Sequence, residues 1–162
     1  MIKAFFQKPI IQFFIVLIMF EGIGYSIGML TRPEIPTWYA SLNKPPLNPP
    51  SWVFAVVWPC LYAILSGLGV FLWRRKDQSA AGMRAFQFFV VQMGFNWAWS
   101  FLFFSFHWLG FSVVWILMTL FFAGFSAFYT ARLSKIVTLF WLPYLLWLGF
   151  AAYLSLDIVL LN

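Results

Sequence analysis

The chain has 162 residues, 64% of them hydrophobic and only 9% charged. A water-soluble domain carries about 25% charged residues, so water is not the main solvent of this molecule and an ordinary cytosolic domain is excluded. Ten Lys and Arg against four Asp and Glu give a formal charge of +6. The distribution of that charge, taken up below, fits membrane topology and excludes nucleic acid as the partner.

Five continuous apolar runs, at about 10–30, 51–73, 85–106, 109–131 and 136–160, are predicted to be transmembrane helices. Each is long enough, at about 1.5 Å per residue, to cross a hydrocarbon core of about 30 Å. The runs lack the period-2 alternation of a membrane barrel. The expected fold is an all-α, five-helix integral membrane bundle, a single domain over 1–162, because the connectors are too short to hold a second one. No internal repeat is visible, which argues against transporter folds built on duplicated halves.

The first run opens with "MIKAFFQKPIIQFFIVLIMFEG", a basic start and an apolar core like those of a signal peptide. No small-x-small cleavage site follows and the apolar character resumes to Leu30, so a retained span is expected. Glu21 lies well inside it, where a charged carboxylate costs a few kcal/mol. It should be protonated, paired or near water, and a proton-coupling role is open. Gly24 and Gly28 form a small-xxx-small pair that fits either internal packing or a dimer seam.

"WYASLNKPPLNPPSW", residues 38–52, joins the first two spans. Pro45, Pro46, Pro49 and Pro50 restrict their own backbone and that of their neighbours, favouring extension. Such a loop loses little entropy on closing over a ligand, which suits a preorganised lid rimmed by Trp38, Tyr39 and Trp52. A rigid connector with interfacial anchors fits the same residues.

In the second span Trp58 and Tyr62 share a helix face, and Cys60 has no partner for a disulfide. In the third, "VQMGFNWAWSF" sets Gln92, Asn96 and Trp99 on one face. Amides avoid lipid, so Gln92 and Asn96 should point into the bundle, as helix-to-helix glue or as ligand contacts. Gly94 and Ala98 form a second small pair. The tight "HWLG" turn, 107–110, leads to the fourth span; His107 has no ligand-spaced Cys or carboxylate, so no metal site is expected. In the fifth span Tyr144, Trp147 and Ala151 share a face, and Asp157 lies within reach of headgroups.

Ten tryptophans are present. Trp38, Trp52, Trp73 and Trp108 lie near predicted span ends, where indoles anchor at headgroups. Trp58, Trp97, Trp99 and Trp147 lie deeper. There a flat indole is either core packing or a stacking surface for a flat ligand, with its N–H as a donor.

The basic residues test the span count independently. Five spans put the N-terminus on the side of the second and fourth loops, with Lys3, Lys8, Arg74, Arg75, Lys76, Arg84, Arg132 and Lys135. Only Arg32 and Lys44 remain for the other side. This is the bias of the positive-inside rule, so the N-terminus is expected in the cytoplasm and the C-terminus outside.

Three stretches together resemble the translocator protein/tryptophan-rich sensory protein (TspO/MBR) family, also called peripheral-type benzodiazepine receptors. "WYASLNKPPLNPPSWVFAVVWPCLY" (38–62) is similar to its WY-x-x-L-x-KP-x-x-x-PP…VW-x-x-LY hallmark, "QMGFNWAW" (92–99) to its third-span pattern and "PYLLWLGFA" (143–151) to its fifth. The chain also ends in the family's Leu-Asn. The resemblance implies a bundle, usually dimeric, whose pocket opens toward the first loop and takes protoporphyrin IX, haem, sterols or isoquinoline carboxamides. Carried over by motif, Trp58, Asn96, Trp147 and Ala151 would line it, with Tyr39 and loop prolines such as Pro49 above. Some bacterial members are proposed to degrade protoporphyrin in light, with the tryptophans matching Trp58 and Trp147 as the catalytic candidates.

Departures from the family pattern are Leu47 for an aromatic, Ser155 for an Asn, and Trp115 for an Asp. The basic tail of animal members is absent, which lowers the expectation of sterol binding and points to a bacterial cell membrane. No acid–base dyad, nucleophile–base pair or phosphate loop occurs at the usual spacings. The expected function is therefore a receptor for tetrapyrroles, held as ligands and not as cofactors. Its expected neighbours are membrane lipids and a second copy of itself. Light-driven porphyrin degradation, a sterol- or lipid-binding transporter and a regulatory subunit are the alternatives.

Overall fold

The computed structural model describes residues 7–162, which are all-helical, with no strand among them. Five long helices are α1 (Pro9–Tyr39), α2 (Ser51–Arg75), α3 (Ala80–Ser105), α4 (Leu109–Ala131) and α5 (Lys135–Leu161). All five are long and apolar enough to cross a membrane. Lys3, counted in the basic flank, lies outside the described residues.

The helices end where local chemistry ends them, and two boundaries differ from the sequence reading. α1 starts with Pro9 at its first turn, where the missing N–H would be unpaired in any case. It then runs nine residues beyond Leu30. Pro33 is carried by a 3-10 turn (Arg32–Glu34) and Pro36 by a π turn (Ile35–Tyr39), so neither proline breaks the helical path. Trp38 and Tyr39 therefore stand on the end of α1 and not in the loop. α3 begins five residues earlier than its apolar run, because Ser79 caps it by accepting from the Gly82 N–H at 3.0 Å. The expected 74–84 connector shrinks to the turn after Arg75. A Cβ at Gly82 would run into the Arg75 carbonyl oxygen, so this turn requires glycine.

Both ends of the bundle are tied across helices. At one end Arg74 donates to the Gln7 carbonyl at 2.9 Å and Arg84 to the Tyr129 hydroxyl at 3.1 Å. Lys8, Arg75, Lys76, Arg132 and Lys135 flank helix termini at this same end. At the other end Asn162 accepts from the Asn43 N–H at 2.9 Å and donates to the Asn43 carbonyl at 3.0 Å. His107, which alone among the described non-glycine residues has positive φ (57°), turns the chain from α3 into α4. Its ring stacks on Trp38 at 3.9 Å and Nε2 lies 3.2 Å from Glu34.

Packing is uneven along the bundle, and this positions the site. α3 and α4 form the most extensive pair, α4 packs on α5, and α1 rests on α2 and lightly on α3. α2 is buried only from Leu61 onward, through Leu65, Leu68 and Leu72. The dense core, with Ala85, Trp141 and Tyr144 fully buried, thus belongs to the basic half. The half from Ser51 to Cys60 has no buried residue. There α2 stands off from its neighbours.

Candidate ligand cavity

Three cavities meet where α2 stands off. The largest, about 610 Å³, lies between α1, α2 and α3 and is bordered by Glu21, Arg32, Trp52, Trp58, Tyr62 and Asn96 among others. A second, about 210 Å³, lies beside the proline loop against Tyr39, Pro49, Trp99, Phe103, Ala151 and Ser155. A third, about 40 Å³, is closed by Asn96, Trp99, Trp147 and Ala151. Trp58 and Phe54 border all three. They are the partitions of one composite site.

The local sequence explains the geometry. Phe54, Trp58 and Tyr62 recur every fourth residue and so share one face of α2. Phe54 meets Trp147 of α5 edge-on at 5.7 Å, and Trp58 lies against Tyr62 at 5.5 Å. Pro59 has no N–H, so the Ala55 carbonyl loses its helical donor. Both residues border the large cavity. A Cβ at Gly24 would collide with the Tyr62 ring, whereas the same position at Gly28 opens on space. The small-residue pair therefore divides its work: Gly24 lets α1 close on Tyr62, and Gly28 leaves room where the two larger cavities meet.

Behind the cavity runs a buried polar chain. Tyr62 donates to Asn96 Oδ1 at 3.5 Å, Asn96 Nδ2 donates to the Tyr144 hydroxyl at 3.0 Å, and that hydroxyl donates to Gln92 Oε1 at 2.6 Å. It joins α2, α3 and α5. Gln92 is fully buried at its far end and its amide nitrogen has no partner. Of the residues singled out in the sequence, Tyr39, Pro49, Trp58, Tyr62, Asn96, Trp99, Trp147 and Ala151 border the composite site. Gln92 does not; it supports Tyr144 from behind. Trp147 touches only the smallest chamber.

Glu21 borders the large cavity, so its carboxyl has open volume beside it and not lipid alone. No ion pair reaches it among the described residues. The loop is held in place: the Tyr39 hydroxyl donates to Asn48 Oδ1 at 2.8 Å, and Lys44 Nζ lies 4.8 Å over the Tyr39 ring. Trp115, at the position where the family often carries Asp, donates to the Phe95 carbonyl at 2.8 Å and joins α3 to α4. Sequence reasoning missed Phe54, whose i−4 spacing from Trp58 was the available signal, and Phe103 and Phe104, which give none. It also missed the Glu34–His107 pair, which is 73 positions apart in the chain. Among the described residues no three His, Cys, Asp or Glu side chains come together as a metal cluster.

These features define a class: a multi-pass helical membrane protein with an aromatic-walled cavity beside a proline-rich loop at one end of its bundle. The family model described as "TspO/MBR family" matches residues 14–161, and the chain belongs to that family. It is similar to the translocator protein of Bos taurus, 33% identical over 133 residues, covering 82% of this chain and 79% of that protein. It is 32% identical over 141 residues to the tryptophan-rich protein TspO of Archaeoglobus fulgidus, covering 87% and 90%. The tryptophan-rich sensory protein of Cereibacter sphaeroides is 28% identical over 141 residues, covering 87% and 85%.

Proposed function

We propose that this protein is a membrane receptor that binds a flat hydrophobic tetrapyrrole, protoporphyrin IX or haem, in the composite cavity and sequesters it or hands it on. The observation that carries this reading is Trp58, whose indole borders all three chambers. A planar macrocycle in the large chamber would meet an aromatic wall of Trp52, Phe54 and Trp58, while Arg32 at its margin offers a cation to a propionate. The volume of about 610 Å³ lies within the roughly 300–1,000 Å³ of ligand pockets. The pinned loop beside it would lose little entropy on binding. Sterol-like molecules and isoquinoline carboxamides are alternative occupants of the same apolar space.

The relatives' names, translocator and sensory protein, suit both transfer and signalling after capture. The reading places the basic end in the cytoplasm of a bacterial cell membrane and the proline loop outside, with two copies as the working unit. A second reading, light-driven oxidation of bound porphyrin, is favoured by the same indole: an excited porphyrin touching Trp58 can exchange an electron with it. On this reading Trp58 matters more than Trp147, which is confined to the smallest chamber.

The test is a dark titration of purified protein with protoporphyrin IX, read by tryptophan quenching. Trp58→Phe should weaken binding about fivefold, the size of about 1 kcal/mol of lost stacking. Trp147→Phe should do less, and Trp108→Phe, at a residue that borders none of the three chambers, should leave affinity unchanged. Absence of saturable binding in the wild type would sink the porphyrin assignment. A new absorbing product on illumination, lost in Trp58→Phe, would promote the oxidative reading.

A further inference from the structure

A separate cavity of about 390 Å³ occupies the basic half of the bundle between α1, α2 and α3. Its wall is almost wholly apolar, formed by Val16, Met19, Val70, Phe86, Val90 and Met93 with their neighbours. Trp97, met edge-on by Phe20 at 5.4 Å, borders both this cavity and the large one described above, and so separates them. The cavity reaches from Gln12 to Phe20 along α1 and from Phe86 to Trp97 along α3. At about 1.5 Å per residue those stretches measure about 12–16 Å, close to half of a hydrocarbon core of about 30 Å. That is the depth of one leaflet.

The mouth is of opposite character. Gln12 and Trp73 also border a polar recess with Arg74, Arg75 and Gln78. Arg74 is already engaged, donating to the Gln7 carbonyl at 2.9 Å and Gln12 Oε1 at 3.2 Å. Lys76 is paired with Asp77 at 3.4 Å and lies 4.1 Å over the Trp73 ring. The Arg75 guanidinium lies 5.4 Å over Phe71 and makes no hydrogen bond or ion pair among the described residues. Its guanidinium is available to an anion at the rim.

We propose that this cleft is a binding site for one anionic phospholipid of the leaflet at the basic end. One acyl chain enters the α1–α2–α3 cavity and the phosphate is held by Arg75. An apolar chamber one leaflet deep beneath an uncommitted guanidinium matches such an amphiphile in length and charge, and basic pockets between transmembrane helices bind anionic headgroups for this reason. A second copy of the chain in the same orientation fits worse, because it would bring its own Arg74 and Arg75 to the same rim. The site is independent of the tetrapyrrole reading.

The experiment is native mass spectrometry of protein released from nanodiscs of equal phosphatidylglycerol and phosphatidylcholine. Wild type should retain one phosphatidylglycerol in preference to phosphatidylcholine. Arg75→Gln should lower that preference about fivefold, the effect of one basic residue near an anionic surface, and Arg75→Lys should keep most of it. Val16→Trp, which fills the chamber, should lose bound lipid of either headgroup; if it fails to fold, the exposed Arg75 variants still decide. Arg132→Gln, at the same end but away from the cleft, should match wild type. Equal retention of both lipids by wild type, or an equal loss in Arg132→Gln, would overturn the proposal. So would a changed dimer fraction in Val16→Trp with lipid retention intact, which would give the surface to a second copy.

Discussion

Tyr144 is fully buried in the apolar core, and its hydroxyl is tolerated there because it both accepts from Asn96 at 3.0 Å and donates to Gln92 at 2.6 Å. Tyr144→Phe would remove both bonds at once and leave Asn96 Nδ2 and Gln92 Oε1 without these partners. Bonds of this kind inside membrane proteins are worth about 0.6 kcal/mol on average and up to about 1.7, so a loss of about 1–2 kcal/mol is expected. Thermal unfolding in detergent would read it, and an unchanged midpoint would mean that the chain of bonds contributes nothing net. The same residue shows what helical spacing leaves open about Gln92. Helical periodicity put Gln92 and Asn96 on one face, and they do share it. Depth along the bundle, which periodicity does not encode, sends Asn96 to the cavity and Gln92 into the core.

At the scale of elements, glycines in helices of similar composition serve opposite ends. Gly82 sits where the first turn of α3 meets the Arg75 carbonyl, with no room for a Cβ. Gly149, inside α5, has nothing within 4 Å of that position. Intrinsic helix propensity favours Ala over Gly by about 1 kcal/mol at both sites. Gly149→Ala should therefore hold or raise the unfolding midpoint, and Gly82→Ala should lower it because the α2–α3 turn must open. Equal shifts of the two would remove the steric account of that turn. The extension of α1 belongs to the same scale: the apolar run ends at Leu30, but 3-10 and π turns carry the helical path on past Pro33 and Pro36. The loop is shorter for it, and Tyr39 reaches the cavity from a helix end.

For the whole molecule, the asymmetry of charge follows the asymmetry of packing. The basic end closes on a dense core, and the opposite end, held by Asn43, Asn162, Glu34 and His107, surrounds the composite cavity. In the proposed orientation, which follows the positive-inside rule, the basic end faces the cytoplasm. In a Cys60→Ser background, Lys44→Cys should then react with an impermeant maleimide added to intact spheroplasts, and Gln78→Cys should react only after lysis. The reverse pattern would invert the topology and, with it, the compartment from which a ligand would enter.

Composition, five apolar lengths and the placement of basic residues were enough to determine a five-helix membrane bundle, because a chain in lipid must satisfy its backbone internally and has few architectures open to it. The proline loop and the Trp58, Asn96 and Trp147 motifs pointed to the cavity end for the same local reason: helical spacing decides which side chains share a face. Tertiary structure alone decided how tightly each face is packed. α2 is buried from Leu61 onward and stands off before it, so one stripe of residues is core at one end and cavity wall at the other. Tertiary structure also joined Glu34 to His107 and Asn43 to Asn162 and opened the second cleft beneath Arg75. Each depends on how separate helices meet, and no local pattern in the chain records that distance.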